Sequence, residues 1–204
     1  VFVQSLDAGA KAKDLLAGSK MVAEAGFAGI SGSGSDDLNP VWSPDGQSIV
    51  FAATVNRNVA AYSDTNSDLY QVSTNGGEPK RLTDGKDNYF APKFSHDGRT
   101  LFCQLNPNNE KVYNLNRLVS FAWPQVGERK VVTVNFDRSP SSFAISPDSK
   151  TVYLLAEDTG HEKLYSVAAS GGEVKLAFEM NSGVYTGLSI PGKASSLMLF
   201  ASWE

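Results

Sequence analysis

A short wording occurs four times along this chain, and its spacing limits the fold more than any other feature. Val41-Trp42-Ser43-Pro44-Asp45-Gly46-Gln47-Ser48-Ile49-Val50-Phe51 reads as strand, tight turn, strand. Pro presets φ near −65° and Gly supplies a positive φ, so the chain reverses between two apolar runs. Weaker copies are Lys93-Phe94-Ser95-His96-Asp97-Gly98-Arg99, Ala144-Ile145-Ser146-Pro147-Asp148-Ser149-Lys150 and the degraded Gly187-Leu188-Ser189-Ile190-Pro191-Gly192-Lys193. The serines recur every ~43 to 52 residues, the length of one four-stranded propeller blade. Helical repeats fit badly, because no apolar i, i+3, i+4, i+7 pattern persists across a repeat. The best helical stretch, Ala10 to Ala25, is interrupted by Gly18 and has no clean apolar stripe.

A second hairpin lies between the copies of the first. Asp68-Leu69-Tyr70-Gln71-Val72 leads through Asn75-Gly76-Gly77 into Pro79-Lys80-Arg81-Leu82. Lys163-Leu164-Tyr165-Ser166-Val167 leads through Ser170-Gly171-Gly172 into Val174-Lys175-Leu176, and Arg117 to Val132 is a poorer copy. Gly-rich reversals between alternating runs are hairpin signals. Two hairpins make four antiparallel strands, and the expected fold is an all-β propeller, partial or four-bladed. The expected division is a half blade over 1–38, blades over about 39–84, 85–135 and 136–179, and a half blade over 180–204, all in one segment. The two halves either pair, Val1–Leu6 against Leu197–Trp203, to close a four-bladed ring, or belong to a larger propeller. The start at Val1, without an initiator Met, favours the segment. A segment would leave apolar end faces bare, and this predicts self-association through the terminal blades.

Composition removes several classes of function. With a net charge of −4, a pI near 5.2 and no basic run interleaved with aromatics, nucleic-acid binding is disfavoured. No stretch approaches the ~20 apolar residues that span a bilayer as a helix. The single cysteine, Cys103, rules out an internal disulfide framework and a multi-thiolate metal site. Its place in Leu101-Phe102-Cys103 reads as a buried small hydrophobe.

Chemistry-bearing residues are few. Ser31 and Ser33 lie among glycines, but neither has the flanking glycines of a Gly-x-Ser-x-Gly elbow, and the stretch from Ala28 to Ser35 reads as a linker. His96 and His161 sit in turns of different repeats, too few for a zinc site. Asp64-Thr65-Asn66-Ser67-Asp68 imitates the opening of a calcium loop, then fails where Leu69 replaces the turn Gly and Asn75 the closing Glu. Asp45, Asp97 and Asp148 recur for turn geometry, and Trp42, Phe94 and Ile145 fill one repeat position expected in the blade-to-blade core. No catalytic, cofactor-binding or metal-binding residue is therefore assigned. The insertion from Asn56 to Ser67 is the loop where binding is expected, since binding residues concentrate on loops held by a rigid scaffold.

With these residues in view, the chain resembles the β-propeller repeats of the prolyl oligopeptidase family, and is similar to TolB-like propellers. The wording Val41-Trp42-Ser43-Pro44-Asp45-Gly46, Asp68-Leu69-Tyr70 and Gly76-Gly77-Glu78-Pro79-Lys80-Arg81-Leu82-Thr83 carries the likeness. Asn66-Ser67-Asp68-Leu69-Tyr70-Gln71-Val72 and Phe136-Asp137-Arg138-Ser139 tilt it toward the acylaminoacyl-peptidase and dipeptidyl-peptidase-like branch. The resemblance implies a non-catalytic propeller that gates short peptides toward an α/β-hydrolase domain of the same polypeptide. It also implies a periplasmic or secreted location, and no cofactor. The alternative it leaves open is a TolB-like periplasmic propeller acting as a protein-binding scaffold. This sequence matches propeller positions only, so no catalytic residue carries over.

Overall fold

Apolar runs of β-branched and aromatic residues, each stopped by a Gly- or Asp-bearing turn, set the strands. The computed structural model describes residues 1–30, 37–109, 111, 113–178, 184–191 and 200–203. In chain order come β1 (Phe2–Val3), β2 (Lys13–Asp14), the single-turn α1 (Lys20–Ala23), β3 (Val41–Trp42), β4 (Ser48–Thr54), β5 (Ser67–Ser73), β6 (Lys80–Arg81) and β7 (Asn88–Phe94). They are followed by β8 (Thr100–Asn106), β9 (Arg117–Ala122), β10 (Lys130–Val131), β11 (Pro140–Ile145), β12 (Thr151–Asp158), β13 (His161–Ala168), β14 (Lys175–Phe178), β15 (Tyr185–Ser189) and β16 (Phe200–Trp203).

Three four-stranded sheets have the orders β3-β4-β5-β6, β10-β9-β8-β7 and β11-β12-β13-β14, and β1-β2 and β15-β16 form two-stranded sheets. Strand follows strand without a crossover, which is the meander of a propeller blade. The described chain is thus all-β and forms a partial propeller. It divides into two compact units, Val1–Lys93 with Pro107–Glu110, and Phe94–Asn106 with Lys111–Glu204.

In the first unit every residue of β4 is buried. A half-exposed strand would alternate; this one is covered on both faces, as the middle strand of a blade must be. Ile49, Phe51 and Ala53 point to one side, where they meet Leu15, Leu16, Met21, Tyr70 and Val72. Phe51 lies opposite Tyr70 in the β4–β5 register, and the two rings stack with centroids 5.8 Å apart. The helix α1 is too short to hold itself by propensity. Its first amides are held instead by Glu78, whose carboxylate accepts from Lys20 N at 2.8 Å and from Met21 N at 3.3 Å. In the second unit Leu188 of β15 packs on Ala144, Leu155 and Leu164.

The repeated turn is one hydrogen-bonded device made three times. Ser43, Ser95 and Ser146 each donate Oγ–H to Oδ1 of Asp45, Asp97 and Asp148, at 2.6 Å in every copy. Each serine oxygen also accepts the amide of the returning strand, from Ser48 at 2.9 Å, Thr100 at 3.0 Å and Thr151 at 2.9 Å. The turn needs a left-handed residue after the Asp. Gly46 and Gly98 supply it, and Ser149 adopts it at φ 61°.

These bonds favour the charged carboxylate, so all three aspartates titrate below the ordinary range, with the serine hydrogen bond as the main cause. A carboxyl whose native pKa is depressed stabilises the fold fully above its unfolded value of about 4 and loses that contribution as pH falls through the native value. The thermal midpoint is therefore expected to drop below about pH 4. A variant carrying Asp45→Asn, Asp97→Asn and Asp148→Asn should show a flatter acid limb; an identical limb would refute the linkage.

Trp42 departs from its expected place. It is 52% exposed, whereas Ile145 is buried. Phe94 packs edge-on to Trp123 with centroids 4.8 Å apart. Trp42 sits on β3, a two-residue strand at the free margin of its sheet, which explains its exposure.

Candidate functional site

Antiparallel pairing puts both repeated turns at one end of each blade. The β4–β5 loop and the residues after β6 lie at the other end, and there polar side chains collect. In the first unit the long insertion begins at Asn56, whose Oδ1 accepts from Thr54 Oγ1 at 2.7 Å and from Asn66 N at 3.2 Å. That one amide oxygen draws the two ends of the insertion together. Arg57–Val59 forms a 3-10 turn, and Ala60 to Asp64 line an open surface depression of about 500 Å³ with Tyr62 79% exposed beside it.

Asp68 is the buried anchor of this corner. Its Oδ1 accepts from Thr83 Oγ1 at 2.5 Å and from Gly85 N at 2.9 Å, and Arg81 Nη1 stands 3.8 Å from Oδ2. Thr83 Oγ1 in turn accepts Leu69 N at 3.0 Å. Asn66 donates to Gly85 O and accepts from Asn108 Nδ2 at 2.9 Å, and Asn108 N donates to Asp87 at 3.0 Å. The second half of the calcium-like run is thus spent on protein partners: Asn66 and Asp68 hold the connection after β6 in place, and Ser67 Oγ donates to Tyr89 O at 3.0 Å.

The second unit builds its corner around Asp158, at the end of β12. Arg138 Nη2 donates to Oδ1 at 2.9 Å, and Lys163 Nζ and Tyr165 OH donate to Oδ2 at 2.9 and 3.0 Å. The Lys163 contact first, then Arg138 and Tyr165, hold this carboxyl far below the usual range. Burial and the bond to Asp158 push the Tyr165 phenol up. Arg138 also pairs with Asp137, and Phe136 meets Tyr165 edge-on at 5.0 Å. Arg117 donates to Phe136 O, and Ser139 Oγ accepts from Asn116 N at 2.9 Å. Phe136, Arg138 and Ser139 are therefore occupied in fixing this connection, whereas Asp137 pairs with its chain neighbour Arg138.

Beside the hub, Glu157 and Glu162 face each other in the β12–β13 register, and Ser141 Oγ donates to Glu162. Directly opposed like charges oppose pairing. The pair leaves this lip acidic, next to a hub where Arg138 and Lys163 are already paired with Asp158.

His96 is exposed, with Nε2 3.2 Å from Ile145 O, and Asp97 N donates to Ser149 Oγ at 3.0 Å, so that turn is tied to the neighbouring blade of its unit. His161 pairs with Asp158 across β12–β13. Cys103 is fully buried, and desolvation pushes its thiol pKa far above the ordinary value, which suppresses thiolate chemistry. Ser31 and Ser33 lie outside the described residues.

Thr83 and Thr133 are the residues that sequence reasoning missed. Thr133 Oγ1 accepts Leu118 N at 3.0 Å as Thr83 accepts Leu69 N, so each closes its blade's outer strand onto the third. The available signal was a threonine recurring 14 or 15 residues after the Leu of the third strand.

No family model matches the chain. It is 31% identical over 144 residues to dipeptidyl-peptidase 5 of Porphyromonas gingivalis, covering 70% of this chain and 21% of that protein. It is 28% identical over 159 residues to dipeptidyl-peptidase 5 of Aspergillus fumigatus, covering 72% of this chain and 21% of that protein. The chain spans about a fifth of the length of these relatives. Among solved structures, the propeller domain of the trilobed protease of Pyrococcus furiosus superposes with a TM-score of 0.56 at 18% identity, covering 74% of this chain and 44% of that one. TolB from Acinetobacter baumannii gives a TM-score of 0.56 at 19% identity, covering 81% and 38%. An acylaminoacyl peptidase gives 0.53 at 21% identity, covering 73% and 21%. These structural matches establish the propeller fold.

Proposed function

We propose that this chain, a distant homologue of dipeptidyl-peptidase 5, is a non-catalytic propeller portion of a serine peptidase. In that role it gates short peptides toward an α/β-hydrolase domain of the same polypeptide, in the periplasm or outside the cell. The observation that carries the reading is the 31% identity over 144 residues to the Porphyromonas gingivalis enzyme. The blade architecture supports it, because stacked blades leave loops of adjustable length on a stiff frame. The two polar corners support it further, because their hydrogen bonds hold loop ends in place at one end of a blade.

The test compares the isolated 204-residue chain with the longer polypeptide that contains it, on dipeptidyl chromogenic substrates and on a peptide length series. The longer protein is expected to cleave and the isolated chain to be inert. Loosening the first corner with Asn66→Ala should raise turnover of longer peptides more than of dipeptidyl substrates. Hydrolysis by the isolated chain, or a longer polypeptide inert on all these substrates, would refute the reading. Fractionation of source cells tests the location, and a cytoplasmic pool alone would refute that part.

A further inference from the structure

The turn between β5 and β6 carries the only Asn-Gly pair in the chain, Asn75-Gly76. We propose that Asn75 is a site of spontaneous deamidation and isoaspartate formation, placed where a longer main chain would loosen the seam between the β1-β2 sheet and the first blade.

Four observations carry this. Asn75 is exposed, and its side-chain amide has no hydrogen-bond partner among the described residues. The residue after it has no side chain to shield the main-chain nitrogen. Gly76 sits at φ +77°, and a Cβ built on it would lie 3.3 Å from Leu15 O and 3.8 Å from Leu15 Cα. The turn is also fastened to the neighbouring sheet by Lys13 Nζ, which donates to Asn75 O at 2.7 Å. The turn therefore packs closely on Leu15, where even a methyl group at position 76 would be tight.

In the reaction the Gly76 amide nitrogen gives up its proton to base and attacks Cγ of Asn75. Ammonia leaves, and a five-membered succinimide remains. Water then opens the ring at Cγ to give Asp, or at the main-chain carbonyl to give isoaspartate, in which the chain runs through Cβ and Cγ. Only the second product lengthens the main chain, and it does so next to Leu15. The Gly76 N–H is bonded to Ser73 O at 2.8 Å, so attack proceeds from an opened turn.

The third blade supplies an internal control. Its matching turn reads Ser170-Gly171-Gly172, with Gly171 N bonded to Ala168 O at 2.7 Å and φ +81°. A Cβ on Gly171 would lie 3.5 Å from Val131 O and from Val132 Cα, so this turn also abuts the preceding blade. Serine fills the Asn position there and cannot cyclise in this way. Asn75→Ser is therefore a substitution the same turn already tolerates elsewhere in the molecule.

The experiment holds the protein in mildly alkaline and mildly acidic buffer and maps amide-to-acid conversion by peptide mass spectrometry, with isoaspartate methyltransferase labelling to separate the isomers. Conversion is expected at position 75 ahead of every other asparagine, faster in alkali, and lost in Asn75→Ser. The isoaspartate fraction should melt below the Asn75→Asp variant, which has the charge without the longer chain. Retention of the amide at 75 under conditions that convert a short unstructured peptide of the same turn would overturn the site. Equal melting of the isoaspartate fraction and Asn75→Asp would overturn its effect on the seam.

Discussion

Phe51→Ala is expected to cost about 3–5 kcal/mol of stability, the range for removing a large aromatic from a core that cannot collapse around the gap. Phe51 is fully buried in the middle of β4, whose neighbours on both sides are also buried. Its ring stacks on Tyr70 at 5.8 Å and shares a cluster with Leu15, Leu16 and Met21. The lost contacts therefore belong to three elements at once: the first blade, the helix α1 and the segment after β2. Denaturant titration of the two proteins checks this. The midpoint should fall while the slope with denaturant stays constant, because the surface exposed on unfolding is nearly unchanged. Phe51→Leu refills most of the volume and should cost roughly a third as much. A Phe51→Ala protein within about 0.5 kcal/mol of the parent, the size of an ordinary surface change, would mean that Phe51 is not packed in a core.

The second large effect is expected at Asp68. Replacing it with alanine removes a buried acceptor and strands Gly85 N–H and the Thr83 hydroxyl, at a cost of about 3 kcal/mol. The Arg81 contact adds little to that sum, since Arg81 is half exposed and 3.8 Å away. Asp68→Asn keeps an acceptor oxygen for both neutral donors and should recover most of the loss, leaving about 1 kcal/mol. Hydrogen exchange at Leu69 and Gly85 gives a local reading of the same change. If Asp68→Ala and Asp68→Asn cost the same, charge rather than hydrogen bonding holds this corner. Asp158 makes a useful contrast. It gathers more cations, yet it reaches solvent, as do Arg138 and Lys163, so water can replace what its removal takes away.

The two corners explain why the stretches that carried the family likeness read as they do. Asn66-Ser67-Asp68 and Phe136-Asp137-Arg138-Ser139 suggest function when met as strings of polar residues. In space Asn66, Ser67, Asp68, Phe136, Arg138 and Ser139 are each bonded to a loop or strand end of their own unit. Their wording reflects the geometry a blade needs where its strands reconnect. The sequence could place Asp68 at the start of a strand, but not Thr83 beside it, because 15 residues and a Gly-Gly turn separate the two. Likewise the Asp158 hub draws on Arg138 from before β11 and on Lys163 and Tyr165 from β13. No short-range pattern joins those positions.

By itself the sequence determined the repeat, the antiparallel hairpins within it and the turn chemistry, because each depends on residues within a few positions of one another. Ser43, Asp45 and Gly46 close their turn with partners no more than five residues away, and so do their two later copies. It likewise determined that Cys103 is core, since an unbroken apolar run in a middle strand has nowhere else to go. Only the tertiary structure decided which polar residues are spent on architecture, that Trp42 lies half in solvent, and that Gly76 abuts Leu15. Those outcomes depend on which strands lie at a sheet margin and which distant segments meet, and they are set by packing rather than by spacing along the chain.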